Sequence, residues 1–126
     1  MPTVLVVDDE WAIADWLEAI ISDVGHRVVV ASNGQRALEV LENEPVDLVI
    51  TDFMMPIIDG PALIRAMMAE PRTADIPVIV MTALSESVVH ERTKGYVAFL
   101  RKPFRESELL EAVAKVLGPS PTSTAV

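Results

Sequence analysis

Five short apolar segments rich in β-branched residues are the feature that most constrains how this chain can fold. They lack the alternation of apolar and polar residues that half-exposed strands show, and this is typical of strands covered on both faces of a parallel sheet. The segments are residues 4–7, 28–31, 46–51, 76–81 and 97–100. Stretches with apolar residues at helical spacing separate them, and one more follows the last segment. The pattern predicts an α/β fold in which helices cover both faces of a five-stranded parallel sheet.

Several predicted helices carry recognisable signals at their ends. The spacing of Ser32 and Gln35 predicts a capping box at the start of the second helix. Asp59 precedes Pro61, a residue that the first turn of a helix accepts because no amide bond is lost there. Between residues 85 and 94 the apolar pattern is weak. The fourth helix is therefore expected to be short.

Length and composition limit the classes of protein to which the chain can belong. At 126 residues it fits one domain that can form its own core. The chain has no cysteine, no signal segment and no apolar run long enough to span a bilayer, so we expect a cytoplasmic protein that does not associate with membranes. The formal net charge of −9 argues against direct nucleic-acid binding, which depends on basic residues that neutralise phosphates.

The domain is expected to span residues 1–118. Residues 119–126 are rich in Pro, Ser and Thr, which predicts a flexible tail or the start of a linker.

Polar residues follow four of the predicted strands at the point where each strand ends. Asp8 and Asp9 follow the first strand, Asp52 the third, Thr82 the fourth and Lys102 the fifth. Each alone has an ordinary explanation as a helix cap, a hydroxyl bonded to the backbone or a solvated charge. Ligands of parallel α/β sheets bind beyond the carboxyl ends of the strands, however. The joint placement therefore predicts one functional site at this edge.

Four motifs make the prediction specific: "VDDE" (7–10), "DFMMPIIDG" (52–60), "TA" (82–83) and "KPF" (102–104). With these motifs the chain resembles the receiver domain of bacterial two-component response regulators, including single-domain chemotaxis regulators, from residue 3 to about residue 117. The resemblance implies a flavodoxin-like, doubly wound fold with strand order 2-1-3-4-5 and five helices. It also implies phosphorylation on an aspartate with Mg²⁺ as the cofactor.

The resemblance assigns roles to the acidic residues. Asp52 is the expected phosphoacceptor, because a carboxylate can act as a nucleophile on a phosphoryl group. Asp9 and Asp52 are expected to bind Mg²⁺ directly, with the backbone carbonyl of Met54 as a further ligand. Asp8 is expected to act through water or to support the other ligands. The clustered carboxylates are then explained as a cage for a cation.

The remaining roles concern the response to phosphorylation. Lys102 is expected to pair with Asp52 before the reaction and with a phosphoryl oxygen afterwards, and the resemblance implies that the Lys102–Pro103 bond is often cis. Thr82 is expected to donate a hydrogen bond to another phosphoryl oxygen. Movement of Thr82 would let Phe99 rotate inward and remodel the surface of helix 4, strand 5 and helix 5. The alternative for Phe99 is an ordinary core aromatic residue.

The resemblance also names partners. A sensor histidine kinase or a histidine phosphotransfer protein would donate the phosphoryl group, and a downstream protein effector or a fused output domain would read the new surface. Such a protein catalyses its own phosphorylation and dephosphorylation, but it is not a turnover enzyme.

The chain departs from the family pattern near the output surface and near the phosphoacceptor. The segment between Thr82 and Lys102 is about two residues shorter than the resemblance implies, and Tyr96 lies where a small residue is common. Met54 and Leu84 are apolar at positions where a polar side chain could orient an attacking water. We therefore expect slow loss of the phosphoryl group by hydrolysis.

Other classes of protein also use some of these residue types. A Mg²⁺-dependent aspartyl-phosphate phosphohydrolase of the haloacid dehalogenase type also uses an aspartyl nucleophile, but it usually has a second Asp two positions later, where this chain has Met54. A scaffold that is never phosphorylated is a second alternative. No glycine-rich phosphate-binding motif is present. His26 and His90 are expected at a strand edge and on a helix surface.

Overall fold

Five parallel strands alternate with five helices in the computed structural model, which describes residues 1–118. The elements are β1 (Thr3–Val7), α1 (Trp11–Asp23), β2 (Arg27–Ala31), α2 (Gly34–Asn43), β3 (Leu48–Asp52), α3 (Gly60–Ala69), β4 (Val78–Thr82), α4 (Glu86–Arg92), β5 (Ala98–Arg101) and α5 (Glu106–Leu117). The strands lie in the order β2-β1-β3-β4-β5. The predicted flavodoxin-like topology is confirmed.

The sheet separates two apolar cores, because successive side chains of a strand point to opposite faces. In β1, Leu5 and Val7 belong to the core on the side of α2, α3 and α4, whereas Val4 and Val6 belong to the core under α1 and α5. The central strands β1, β3 and β4 are buried at every residue. Their uninterrupted apolar character follows from this double coverage.

The prediction that all five strands are covered on both faces is wrong for β2. This strand lies at an edge of the sheet, and Val30 remains 39% exposed. The edge strand β5 is also only partly covered, at Ala98 and Phe99. An edge strand has a neighbour on one side only, so the flanking helices cover it less completely.

The structure agrees with two sequence-based expectations about the helices and differs from one. Asp59 caps α3, since its Oδ1 accepts a hydrogen bond from the Ala62 N–H at 2.9 Å. Helix α4 has seven residues, so the expectation of a short fourth helix is confirmed. The cap of α2 is Asn33 rather than Ser32, because the Asn33 Oδ1 accepts from the Arg36 N–H at 2.8 Å.

The described part of the chain ends just beyond α5, where Gly118 is the C-cap residue. The predicted tail at residues 119–126 lies outside the described residues, and the domain boundary at 118 stays a prediction. Within residues 1–118, no helix has both the length and the apolar character needed to cross a membrane.

A buried histidine makes the stability of the fold depend on pH. His26, between α1 and β2, is only 3% exposed, and its Nδ1 has no hydrogen-bond partner among the described residues. Burial lowers the pKa of His26 below its usual value of 6.5, and the N-terminal ammonium adds to the effect. The unfolded chain therefore binds a proton below about pH 6.5 more readily than the folded chain does.

We predict that His26→Gln removes the contribution of this histidine to the pH dependence of the free energy of unfolding. Below about pH 6.5 the parent should lose free energy of unfolding relative to the variant, by at most about 1.4 kcal/mol per pH unit for one proton. Urea unfolding at pH 5.5, 6.5 and 7.5 measures both proteins. Parallel pH profiles for the two proteins would contradict the prediction.

Candidate functional site

The carboxyl ends of β1, β3, β4 and β5 meet at one edge of the sheet because all the strands run in the same direction. The structure brings Asp8, Asp9 and Asp52 together at this edge. One carboxylate oxygen from each residue lies within 4.8 Å of the other two. The prediction that these strand ends converge agrees with this geometry.

The two N-terminal acids differ in their surroundings. Asp8 is 1% exposed, and both of its oxygens have protein donors: Oδ1 accepts from the Glu10 N–H at 2.9 Å, and Oδ2 accepts from the Lys102 ammonium at 3.2 Å. Asp9 is exposed. The geometry thus leaves Asp9 open to an incoming cation, while Asp8 is already engaged with the protein.

Lys102 lies between two carboxylates. Its Nζ is 3.2 Å from Asp8 Oδ2 and 3.5 Å from Asp52 Oδ1. The Lys102 N–H donates to the Thr82 carbonyl at 2.8 Å, which places Lys102 beside the end of β4. The Lys102–Pro103 bond is cis. The sequence-based expectation named Asp52 as the partner; the structure adds Asp8 as the nearer one.

Asp52 ends β3 in a buried position, and this environment changes its acidity. Burial raises the pKa of Asp52 to about 6; Lys102 opposes the rise, and the charge of Asp8 adds to it. The Phe53 N–H also donates to Asp52 Oδ1, at 2.9 Å, and favours the charged form. One ammonium among three carboxylates leaves the site short of positive charge. Three hard oxygen donors so close together fit Mg²⁺.

The loop between β3 and α3 follows Asp52 and has an unusual backbone. The Gly60 N–H donates to the Phe53 carbonyl at 2.9 Å and closes the loop at its base. At the tip, the Ile58 N–H donates to the Pro56 carbonyl at 2.9 Å, and Ile57 has a φ of 71° while 84% exposed. A β-branched residue rarely adopts positive φ, so this turn gave no signal in the sequence.

Met54 lies in the same loop with its side chain 58% exposed. The role of its backbone carbonyl as a metal ligand stays a prediction.

Thr82 and Phe99 occupy the strands on the other side of Asp52. In the register of the sheet Asp52 lies beside Met81, so Thr82 is one residue further along the neighbouring strand. Thr82 is 4% exposed, and its hydroxyl accepts from the Leu84 N–H at 3.2 Å. Phe99 is partly buried and packs against the core on the side of α2, α3 and α4. Their switching roles stay predictions.

Sequence reasoning missed one residue at the rim of the site. Trp11, the first residue of α1, lines a groove together with Asp8 and Asp9, and it is 79% exposed. The signal was present, since Trp11 follows the acidic motif directly and lies outside the apolar pattern of α1.

Comparison with known proteins decides the family. The model of the response regulator receiver domain matches residues 4–114. The chain belongs to this family. It is therefore a receiver domain of the kind that two-component systems phosphorylate on an aspartate with Mg²⁺, and receiver domains interact with histidine kinases. The alternative of a phosphohydrolase is not favoured.

Solved structures of similar proteins support the same assignment. The chemotaxis protein CheY4 of Vibrio cholerae matches with a TM-score of 0.88 and 28% identity, over 93% of this chain and 99% of that one. The response regulator protein TrrA of Thermotoga maritima, solved in complex with Mg²⁺-BeF, matches with a TM-score of 0.84 and 32% identity, over 93% of this chain and 100% of that one.

The curated relatives are longer proteins. The probable transcriptional regulator ycf27 of Pyropia yezoensis is 38% identical over 118 residues, which cover 90% of this receiver and 46% of the relative. This receiver spans about half the length of the curated relatives that it matches.

We predict that Mg²⁺ binds more weakly as the pH falls through about 6. A raised pKa means that Asp52 takes up a proton below that pH, and the ion must then displace the proton. Because one proton is involved, the dissociation constant should rise by at most about tenfold per pH unit. Calorimetric Mg²⁺ titration at pH 5, 6, 7 and 8 measures the effect.

Asp52→Asn is the control for this titration. The amide does not titrate, so the variant should bind more weakly at pH 7 and should lack the steep change near pH 6. Equal dissociation constants for the parent at pH 5 and pH 7 would be incompatible with the prediction.

Proposed function

We propose that Asp52 of this receiver accepts a phosphoryl group from the phosphohistidine of a sensor histidine kinase or of a histidine phosphotransfer protein. The observation that carries the proposal is the acidic cluster at the sheet edge, with Lys102 within 3.5 Å of Asp52 and the other two acids beside it. This arrangement offers a nucleophile, a cation site and a fixed positive charge in one place.

The proposed reaction is a direct displacement at phosphorus. A carboxylate oxygen of Asp52 forms the new P–O bond as the P–N bond to the donor imidazole breaks, and the electron pair returns to the imidazole nitrogen. Lys102 holds a phosphoryl oxygen after transfer, and the Thr82 hydroxyl donates to another. Asp9, Asp52 and the Met54 carbonyl would hold Mg²⁺, with Asp8 in support, and the bound ion would supply positive charge that offsets the charge of the phosphoryl oxygens.

The proposed output is a change in the surface formed by α4, β5 and α5. A shift of Thr82 toward the phosphoryl group would open space for Phe99 to turn inward. A downstream protein effector or a fused output domain binds this surface in the cytoplasm. The receiver itself makes no direct contact with nucleic acid or membrane. The receiver assists its own phosphorylation and dephosphorylation, and it is not a turnover enzyme.

Labelling with a small phosphodonor tests the proposal. With Mg²⁺ and phosphoramidate, the parent should gain one phosphoryl group per chain, observed by intact-protein mass spectrometry and mapped to Asp52. Asp52→Asn should gain none. Asp75→Asn changes an exposed acid in a groove beside α5 and should label like the parent. Multiple turnover of the donor would favour a phosphohydrolase, and absence of labelling would favour a scaffold.

The lifetime of the phosphorylated form should depend on the side chains at positions 54 and 84. Met54 and Leu84 offer no polar group that could orient a water toward the phosphoryl group. Met54→Asn or Leu84→Gln should therefore speed hydrolysis, roughly fivefold if one hydrogen bond of about 1 kcal/mol forms in the transition state. Loss of label after removal of the donor gives the rate.

Met68→Asn is the matched control, since Met68 lies on α3 and is also exposed. It should leave the rate of hydrolysis unchanged. Hydrolysis at the parental rate in both Met54→Asn and Leu84→Gln would show that these positions do not limit it.

A further inference from the structure

Gly34, the first residue of α2, lies against the loop that follows the phosphoacceptor strand. A Cβ atom at this position would lie 2.6 Å from the Ile58 carbonyl oxygen and 2.7 Å from the Ile58 Cβ. Real Cβ atoms do not approach other atoms so closely, so any side chain at residue 34 requires Ile58 to move. Main-chain and side-chain atoms of Ile58 are both involved, and a change of rotamer would not relieve the contact.

The backbone of Gly34 gives no other reason for a glycine. The described glycines with positive φ are Gly25, Gly95 and Gly118, and Gly34 is not among them. Within a helix, glycine is less favourable than alanine by roughly 0.5–1 kcal/mol. The residue is therefore explained by the close approach of α2 to Ile58.

The loop that receives this contact is closed at its base. The Gly60 N–H donates to the Phe53 carbonyl at 2.9 Å, and a Cβ atom at Gly60 would lie 2.9 Å from the Asp52 carbonyl oxygen. The base cannot shift without disturbing β3 itself. A displacement at Ile58 is therefore taken up by residues 54–58, the part of the loop that contains Met54.

The segment just before Gly34 also contacts the other half of the acidic cluster. The Asp8 N–H donates to the Ala31 carbonyl at 3.2 Å, and Ser32 lines a groove with Asp8 and Asp9. Residues 31–34 thus contact the loop of the N-terminal acids on one side and the loop after Asp52 on the other.

We propose that Gly34 is a positioning residue for the Mg²⁺ site: the first turn of α2 sets where the loop after Asp52 lies relative to Asp8 and Asp9. This inference rests on the proposed role of the Met54 carbonyl as a metal ligand. Gly34 does not touch the ion. It acts through Ile58, and the affinity for Mg²⁺ depends on the contact between the two residues.

Gly34→Ala tests the inference directly. The added methyl group pushes Ile58 and the loop outward, and the Mg²⁺ dissociation constant should rise by about tenfold, the lower end of what changes around metal ligands produce. Calorimetric titration at pH 7 measures the constant, and tryptophan fluorescence, to which Trp11 beside the acids contributes, gives a second signal.

Leu41→Ala is the control for a loss of stability alone. Leu41 lies on the same helix, is buried in the core and is distant in sequence from both metal-binding loops. Its truncation should lower the thermal midpoint while the Mg²⁺ dissociation constant stays within twofold of the parent. A merely structural role for Gly34 would make the two variants behave alike.

Ile58→Ala changes the other residue of the same contact. It tests the inference if Gly34→Ala does not fold. It removes the side chain that packs on Gly34 without adding bulk, and it should also weaken Mg²⁺ binding. Parental affinity in Gly34→Ala or in Ile58→Ala, or an equal loss in Leu41→Ala, would overturn this inference alone. A parent that binds no Mg²⁺ would overturn the proposed function and this inference together.

Discussion

Repulsion among three carboxylates at one edge of the sheet is the constraint on which the rest of the structure depends. Asp8, Asp9 and Asp52 are close enough to share a cation, and Lys102 is the ammonium that the fold places between two of them. One positive charge does not balance three negative ones. Burial raises the pKa of Asp52 to about 6 although Lys102 opposes the rise, and the charge of Asp8 adds to it. A divalent cation would relieve this imbalance.

Apolar packing of the sheet stabilises the strands that carry these carboxylates. The central strands are buried on both faces, and two separate cores hold them in register, so the strand ends stay in place despite the charges that they carry. The same register places Thr82 one residue beyond the neighbour of Asp52. A change in the charge of Asp52 can therefore act directly on the adjacent strand β4. The next strand in the sheet is β5, which carries Phe99.

Much of this architecture could be predicted from the sequence, because buried parallel strands have a simple signature and parallel strands end at a common edge. Local contacts could not be predicted in the same way. The cap of α2 is Asn33 instead of Ser32, and Ile57 adopts a positive φ that its side chain disfavours. Both depend on how neighbouring segments pack. Whether Asp8 or Asp52 is the nearer partner of Lys102 depends on a few tenths of an ångström in the distance from its Nζ. The spacing of residues in the sequence does not determine such a difference.

A crystal structure with Mn²⁺ in place of Mg²⁺ tests the central claim most directly, since carboxylate oxygens suit both ions and anomalous scattering locates manganese. The account predicts one strong anomalous peak within coordination distance of carboxylate oxygens of Asp9 and Asp52, with the Lys102 ammonium still directed toward Asp52. A peak away from these carboxylates, or a Lys102 side chain turned out into solvent, would contradict it.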